Sequence, residues 1–361
     1  MKLIVHRINE TDQNVHIQRN EEMFRKLNVD VRDVYNRDLL RGDLTKADAI
    51  CLNWFENIDG GSFYMPVLRY IRRIIQMRRI RKAGLKVIFC MHNKFPHSPR
   101  YPALSRDLYY RLAEMADVIL TFAEETKDGL TELFPKRDYS GKIRVIRPLN
   151  YIGAYPPNAG SATYQAVKKF AGKMLIGFVG VISPYKNVEL LFRAAKAMAG
   201  EDAAFLIYGK PVSPEYQTKM EQMAAGCENA ICRFERIPDE EMAPILDVCD
   251  VMIMPYDTRS AANSGTGRLA FSYGRTVVSP DIPSMKALPE ELLYLYHYET
   301  DGEHEAKMME QLLRAYGDWR KDPEILREKG SSLKALMERD YSEAAVMRQY
   351  AEIFSRLDAG K

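Results

Sequence analysis

The residues best suited to do chemistry lie in the second half of the chain. Gly180 ends the apolar run 174–179, and Lys186 follows after a short loop at the predicted start of a helix. A glycine there lets a ligand approach the backbone. A lysine beside a helix N-terminus adds a full charge to amides that already favour an anion. A diphosphate is the anion this pairing suits. Further on, the run 251–254 ends at Pro255 and continues as YDTRSAANSGTGRLAFSYG over 256–274. Asn263, Ser264, Gly265 and Thr266 read as a helix cap and a phosphate nest, with hydroxyls and freed amides turned toward the strand ends. Arg259 is a further cation on the same loop, and Glu235, Arg236 and Ile237 follow another strand end. Taken singly, each has a plain reading: a solvated lysine, a capped helix, an arginine in water. Together they occupy successive strand ends, where open parallel sheets bind their ligands.

The first half carries a second cluster. HNKFPHSPRYP, at 92–102, follows the run 86–91. Two histidines and three prolines make a stiff loop at a strand end, a place where proteins position functional groups. His92 and His97 have the spacing to share a metal, but no further Cys or His cluster joins them, so no metal is expected. Glu56, Asp59, Gly60 and Gly61 follow the run 49–54 and, with Asn93 and His97, are candidates to meet an acceptor. On a helical wheel of 65–82, Val67, Tyr70, Ile71, Ile74, Ile75 and Met77 share one face, and Arg69, Arg72, Arg73 and Arg79 share the other. The stretch 69–82 has seven cations and no acid. The wheel predicts an apolar face in the core and a basic face in water, with anionic lipid or a phosphate-bearing acceptor as the partner of that face.

The elements that must hold these groups alternate. Short β-type runs at 2–6, 29–34, 49–54, 86–91, 118–122 and 143–146 are separated by helical patterns, among them 65–82, 104–115 and 124–133. After a cluster of Pro148, Gly153, Pro156, Pro157 and Gly160, a second series follows at 174–179, 204–208, 230–234, 251–254, 276–278 and 293–296. Such alternation predicts βαβ units and mostly parallel sheets. A chain of 361 residues exceeds what one core usually serves. The net charge of +3 gives no footprint for nucleic acid. Five cysteines without a CxxC pair read as buried, reduced thiols. The first apolar run is too short for a signal sequence, and no window approaches the ~20 apolar residues of a membrane span. A soluble cytoplasmic protein, or one peripheral at the inner face of the membrane, is expected.

In order and spacing, 86–280 resembles a GT-B glycosyltransferase of the retaining GT4, or group 1, type found in bacterial polysaccharide synthesis, and the rest of the chain is similar in architecture only. In that family a Gly-Arg-Leu…Lys-Gly pattern holds the donor diphosphate. Lys186 matches the lysine, while Val181 stands where the arginine would be. Ser264, Gly265 and Thr266 match backbone contacts to phosphate, and the resemblance places the nucleotide base at Glu235, Arg236 and Ile237. Two family glutamates fall on Ala261 and Leu269, so their contacts to sugar and ribose do not carry over. Arg259 is the candidate to replace the missing arginine. His92 matches a histidine near the transferred sugar, and His97 fits an HNxxPH pattern of some relatives.

The resemblance implies an α/β GT-B fold, two Rossmann-like domains with parallel sheets facing across a cleft. Its expected parts are an acceptor-binding domain at 1–152, a nucleotide-sugar-binding domain at 153–335, and a C-terminal helix at 336–361 that packs back on the first domain. It implies sugar transfer from a nucleoside diphosphate sugar to a glycan or lipid-linked glycan, with retention and without metal or cofactor. His92 would bond a sugar hydroxyl, or steady charge at the anomeric carbon through its π face or a nearby carbonyl. The missing acids leave two alternatives, a non-catalytic nucleotide- or glycan-binding subunit of an assembly complex and a sugar-nucleotide epimerase.

Overall fold

A computed structural model describes residues 1–7, 14–59, 63–92, 99–259, 261 and 263–359. Its first sheet holds β1 (Lys2–Arg7), β2 (Asp30–Tyr35), β3 (Ala49–Asn53), β4 (Lys86–Cys90), β5 (Val118–Thr121) and β6 (Ile143–Val145). They lie in the order β2-β1-β3-β4-β5-β6, and every pairing is parallel. Helices such as Met65–Lys82 and Pro102–Met115 return the chain between strands, as parallel pairing requires. β3 is buried along its whole length, and its sequence AICLN is accordingly an apolar run rather than an alternation. β2, at the edge, alternates and stays partly exposed.

The second sheet repeats the plan with β7 (Met174–Val179), β8 (Ala203–Tyr208), β9 (Ala230–Arg233), β10 (Val251–Ile253), β11 (Thr276–Pro280) and β12 (Tyr294–Tyr296). The order is β12-β11-β10-β7-β8-β9, again all parallel. From β7 the chain winds outward through β8 and β9, then crosses to β10 on the other side of β7. The reversal opens a crevice between the carboxyl ends of β7 and β10, the place where such sheets bind ligands.

Residues Met1–Leu149 and Asp340–Lys361 form one compact unit, and Asn150–Arg339 forms the other. The helix Glu343–Ala359 belongs to the first. Its Val346, Tyr350, Ile353, Phe354 and Leu357 are buried in a core shared with Leu3, Val5 and Phe24. The Phe24 ring meets those of Tyr350 and Phe354 edge-on at 4.7 and 5.3 Å. All five cysteines are free thiols; Cys51 and Cys90, on neighbouring strands, have their sulfurs 3.3 Å apart.

Two expectations about helices need correction. The stretch 124–133 is not one helix but a single 3-10 turn, Glu124–Thr126, followed by Gly129–Leu133. Within Met65–Lys82 the inward face is also misassigned by the wheel. Pro66, Arg73, Gln76, Met77 and Ile80 are buried, whereas Ile71 and Ile75 are exposed. The cause is polar. Arg73 donates to Asn36 and Gln76, and its guanidinium lies 4.1 Å over the Phe55 ring. Gln76 donates to the Asn36 carbonyl at 2.7 Å. A face with such partners waiting inside can be buried although it is not the most apolar one.

Candidate functional site

Gly180, one residue past β7, has φ +129°, where L side chains are strained. A Cβ at Gly180 would stand 3.0 Å from Lys186 Nζ and 3.5 Å from Thr266 Oγ1. Residues far apart in sequence therefore meet at this glycine, on the switch-point side of β7. Gly209, past β8, packs directly against it: a Cβ there would fall 1.7 Å from the Gly180 carbonyl oxygen. The loop after Gly180 is tied to both neighbours. The Ile182 amide donates to the Lys210 carbonyl at 2.9 Å, and Asn187 Nδ2 donates to the Pro255 carbonyl at 3.0 Å. The Asp257 amide reaches the Tyr185 carbonyl at 2.7 Å.

Lys186 closes the one-turn 3-10 segment Pro184–Lys186, and Asn187, left-handed at φ +48°, separates it from the helix Glu189–Ala197. The lysine thus stands before the helix on a turn of its own rather than at the helix entrance. Its residue is only 8% exposed. The ammonium faces the rings of Tyr256, Phe178 and Tyr185, with centroids 5.3, 5.8 and 6.0 Å away. Burial pulls its pKa down, but Tyr256 and Tyr185 beside it outweigh that, leaving the amine more basic than usual. Among the described residues no carboxylate lies within ion-pairing distance of it. Buried charges are normally paired, so this cation lacks an anion.

Across the crevice, Ser264 caps the helix Gly265–Ser272 by accepting from the Gly267 amide at 2.9 Å. The amides of Gly265 and Thr266, in the first turn, have no partner within the helix. Lysine, glycine, hydroxyl and helix start thus converge as the sequence predicts. Arg259 does not join them. It forks onto Asp257 at 2.9 and 2.8 Å and also reaches Asp301 at 3.0 Å. Two carboxylates already neutralise this cation, and its side chain is exposed. Glu235, Arg236 and Ile237 lie just past β9, the first two exposed and Ile237 half-buried.

Two cations beside the cradle escaped sequence reasoning. Lys210 is exposed on the loop that bonds Ile182. Its signal was the Gly-Lys pair ending β8, which repeats the glycine-then-lysine theme of β7. Arg268 lies 5.3 Å over the Tyr151 ring, and Tyr151 Oη would be 3.6 Å from a Cβ at Gly265. Only the fold brings Tyr151 there.

In the first unit, His92 follows β4 and is buried. Its ring lies flat on Trp54 at 3.8 Å and is stacked on Phe122 at 4.9 Å. Both π faces are therefore covered, which removes the expected contact of that face with a sugar. At the ring edge, Nε2 is 3.1 Å from Asn53 Oδ1. Glu56 is 2% exposed, and its Oε2 has no hydrogen-bond partner. Burial raises its carboxyl to about 7 in spite of Arg73 nearby. A side chain so enclosed cannot touch an acceptor directly, contrary to expectation. His6, which sequence reasoning missed, bonds Asn36 at 3.0 Å and the Asn53 carbonyl at 3.3 Å. Burial and then Arg73 lower its pKa to about 3, so it is neutral. Asn93, His97, Gly60 and Gly61 lie outside the described residues. Among the described residues no three His, Cys, Asp or Glu side chains gather to hold a metal, and no helix is long and apolar enough to cross a membrane.

Two Rossmann-like units, each on a doubly wound parallel sheet, with a glycine-lysine cradle at the second sheet's switch point, define the GT-B fold class. Known structures share it over the whole chain. HepE from Anabaena, solved with UDP and glucose, superposes with a TM-score of 0.72 at 13% identity, covering 99% of this chain and all of that one. Sucrose-phosphate synthase from Thermosynechococcus elongatus gives 0.74 at 13% identity, with both chains fully covered. Residues 173–315, within the second unit, match the family model described as Glycosyl transferases group 1. A GDP-mannose:glycolipid 4-beta-D-mannosyltransferase of Xanthomonas campestris is 28% identical over 158 residues, 43% of this chain and 44% of that protein. The match thus spans less than half the length of that relative.

Proposed function

We propose that the protein transfers a sugar from a nucleoside diphosphate sugar to a hydroxyl of a glycan or lipid-linked glycan, with retention and without a metal. The observation that carries this reading is the buried Lys186 ammonium, held against Gly180 and Thr266 without a carboxylate partner among the described residues. Breaking the sugar–phosphate bond leaves negative charge on the diphosphate. A fixed cation and helix-start amides in a partly dry site stabilise that charge without reorganising. Lys186 and the amides of Gly265 and Thr266 fill these roles, and Lys210 and Arg268 are the cations available where the family arginine is replaced by Val181. Ile237 and its neighbours past β9 take the base. His92 acts through its backbone, or by exchanging the Nε2 contact with Asn53 for a sugar hydroxyl, since its faces are occupied. The relative that acts on a glycolipid supports a lipid-linked acceptor.

A second reading, a subunit that binds donor without turning it over, is favoured by one observation. Ala261 and Leu269, at the family's acidic positions, are both apolar and buried. Calorimetry with UDP, GDP and ADP, followed by assay of nucleotide release from the matching sugar donors, separates the two. Tight binding of one nucleotide with release on adding a glycan acceptor supports transfer. Binding without release supports the subunit, and binding of none of the three rejects both. The anomeric configuration of the product, by NMR, tests retention.

A further inference from the structure

The outward face of the helix Met65–Lys82 is the largest exposed apolar feature of the first unit. Phe63, Tyr64, Leu68, Ile71 and Ile75 are 45–72% exposed. At 100° per residue Tyr64, Leu68, Ile71 and Ile75 fall within a narrow stripe, with Lys82 in line and Arg78 beside it. Arg72 and Arg79 flank the stripe. Arg79 is committed to the carbonyls of Leu39 and Gly42 at 3.1 and 2.8 Å. Among the described residues Arg72, Arg78, Arg81 and Lys82 make no ion pair. Beside the stripe, between this helix and Pro102–Met115, lies a groove of about 230 Å³. Ile74, Met77 and Met115 line it with Arg78, Arg81, Arg111 and Glu114. Arg111 is paired with Asp107 at 2.6 Å, which leaves Arg78 and Arg81 as the groove's unpaired cations among the described residues.

Water is a poor partner for such a face, and so is an ordinary protein surface, which would have to answer unpaired arginines and exposed isoleucines together. An apolar centre with cations around it matches the boundary between acyl chains and anionic headgroups. We propose that this helix docks the protein onto an anionic bilayer. Leu68, Ile71 and Ile75 enter the interface beside Phe63 and Tyr64, and Arg78 and Arg81 at the rim of the groove hold one anionic lipid headgroup. The docking is independent of the transfer reaction, since it needs neither donor nor acceptor.

The test is co-sedimentation of the full chain with phosphatidylcholine vesicles, with and without phosphatidylglycerol. Binding is expected only with phosphatidylglycerol, and it weakens as salt rises. Ile71→Ser with Ile75→Ser, and separately Arg78→Gln with Arg81→Gln, should each weaken partitioning roughly tenfold or more. Because these side chains are exposed, circular dichroism and the melting temperature should not change. The proposal is overturned if wild type ignores anionic vesicles at low salt, if it binds neutral vesicles equally, or if neither pair of substitutions matters. It is also overturned if sedimentation shows a dimer that Ile71→Ser with Ile75→Ser dissolves, because the stripe then belongs to a second copy of the chain.

Discussion

Lys186 keeps a buried charge without a counter-ion among the described residues, and that makes it the sharpest single test of the site. Lys186→Ala should weaken binding of the preferred nucleoside diphosphate by about 1.5–3 kcal/mol, as expected for a charge-assisted hydrogen bond. The same change removes an uncompensated buried cation, so thermal stability without ligand should hold or rise. Calorimetry and a melting curve check both halves, and unchanged affinity rejects the assignment. His92 calls for a different readout. His92→Ala should lower turnover roughly tenfold or more, about 1.4 kcal/mol in barrier, while nucleotide affinity stays as in wild type. A variant with normal kcat would leave His92 a structural role, packed against Trp54 and Phe122 and bonded to Asn53.

Among the elements, the two glycine-ended strands β7 and β8 work as a pair. Gly209→Ala would drive a methyl into the Gly180 carbonyl, so the loop after Gly180 must move. The expected result is a loss of about 1–3 kcal/mol in stability together with weaker nucleotide binding. Urea unfolding and calorimetry report these separately, and a variant matching wild type in both would show that the contact between the loops is dispensable. The twelve strands among the described residues were legible in the sequence, with ends off by no more than two residues: the central ones are continuous apolar runs because both faces are buried, and the edge strand β2 shows as an alternation. The cap at Ser264 was legible too, since its pattern is local. What stayed hidden depends on contacts across the fold. No spacing rule shows that Asn36 and Phe55 await Arg73 inside, which turns the basic helix over and puts Ile71 and Ile75 outside. Nor does any rule place Asp257 and Asp301 around Arg259, or Trp54 and Phe122 on the faces of His92.

For the molecule as a whole, enclosed carboxyls and enclosed imidazoles pull the pH response in opposite directions. Burial raises Glu56 to about 7, and burial with the Asp33 carboxyl beside it raises Glu21 to about 7 despite the ion pair with Arg7. Both ionise near 4.5 in an unfolded chain. Between these values the folded protein holds protons that the unfolded one has released. These two groups alone make stability fall as pH rises from about 4.5 to 7. His6, lowered by burial to about 3, and His304, lowered by burial to about 4, make it rise up to their unfolded value of 6.5. The opposing slopes therefore largely offset one another between about 4.5 and 6.5. Each group contributes up to ~1.4 kcal/mol per pH unit. Glu56→Gln removes one falling contribution, so in urea titrations its stability should rise with pH between about 4.5 and 6.5 relative to wild type, and a wild-type pH dependence in that variant would rule Glu56 out as a source. Activity should also survive EDTA, because Lys186 and backbone amides are assigned the work a divalent ion would do. Full loss, restored by Mg²⁺ or Mn²⁺, would overturn that assignment.

The route of the chain between the two units has a consequence for how the protein is made. Asn150–Arg339 is one unbroken stretch, so it can close its sheet as soon as it leaves the ribosome. The unit begun first is finished last. Its six strands emerge early, yet Leu3, Val5 and Phe24 wait for Tyr350, Phe354 and Leu357 through the synthesis of the whole second unit. During that interval an apolar sheet face stands open to chaperones and to other nascent chains. A premature stop shortly after Arg339 would make the interval permanent, leaving a second unit able to fold beside a first that can only aggregate.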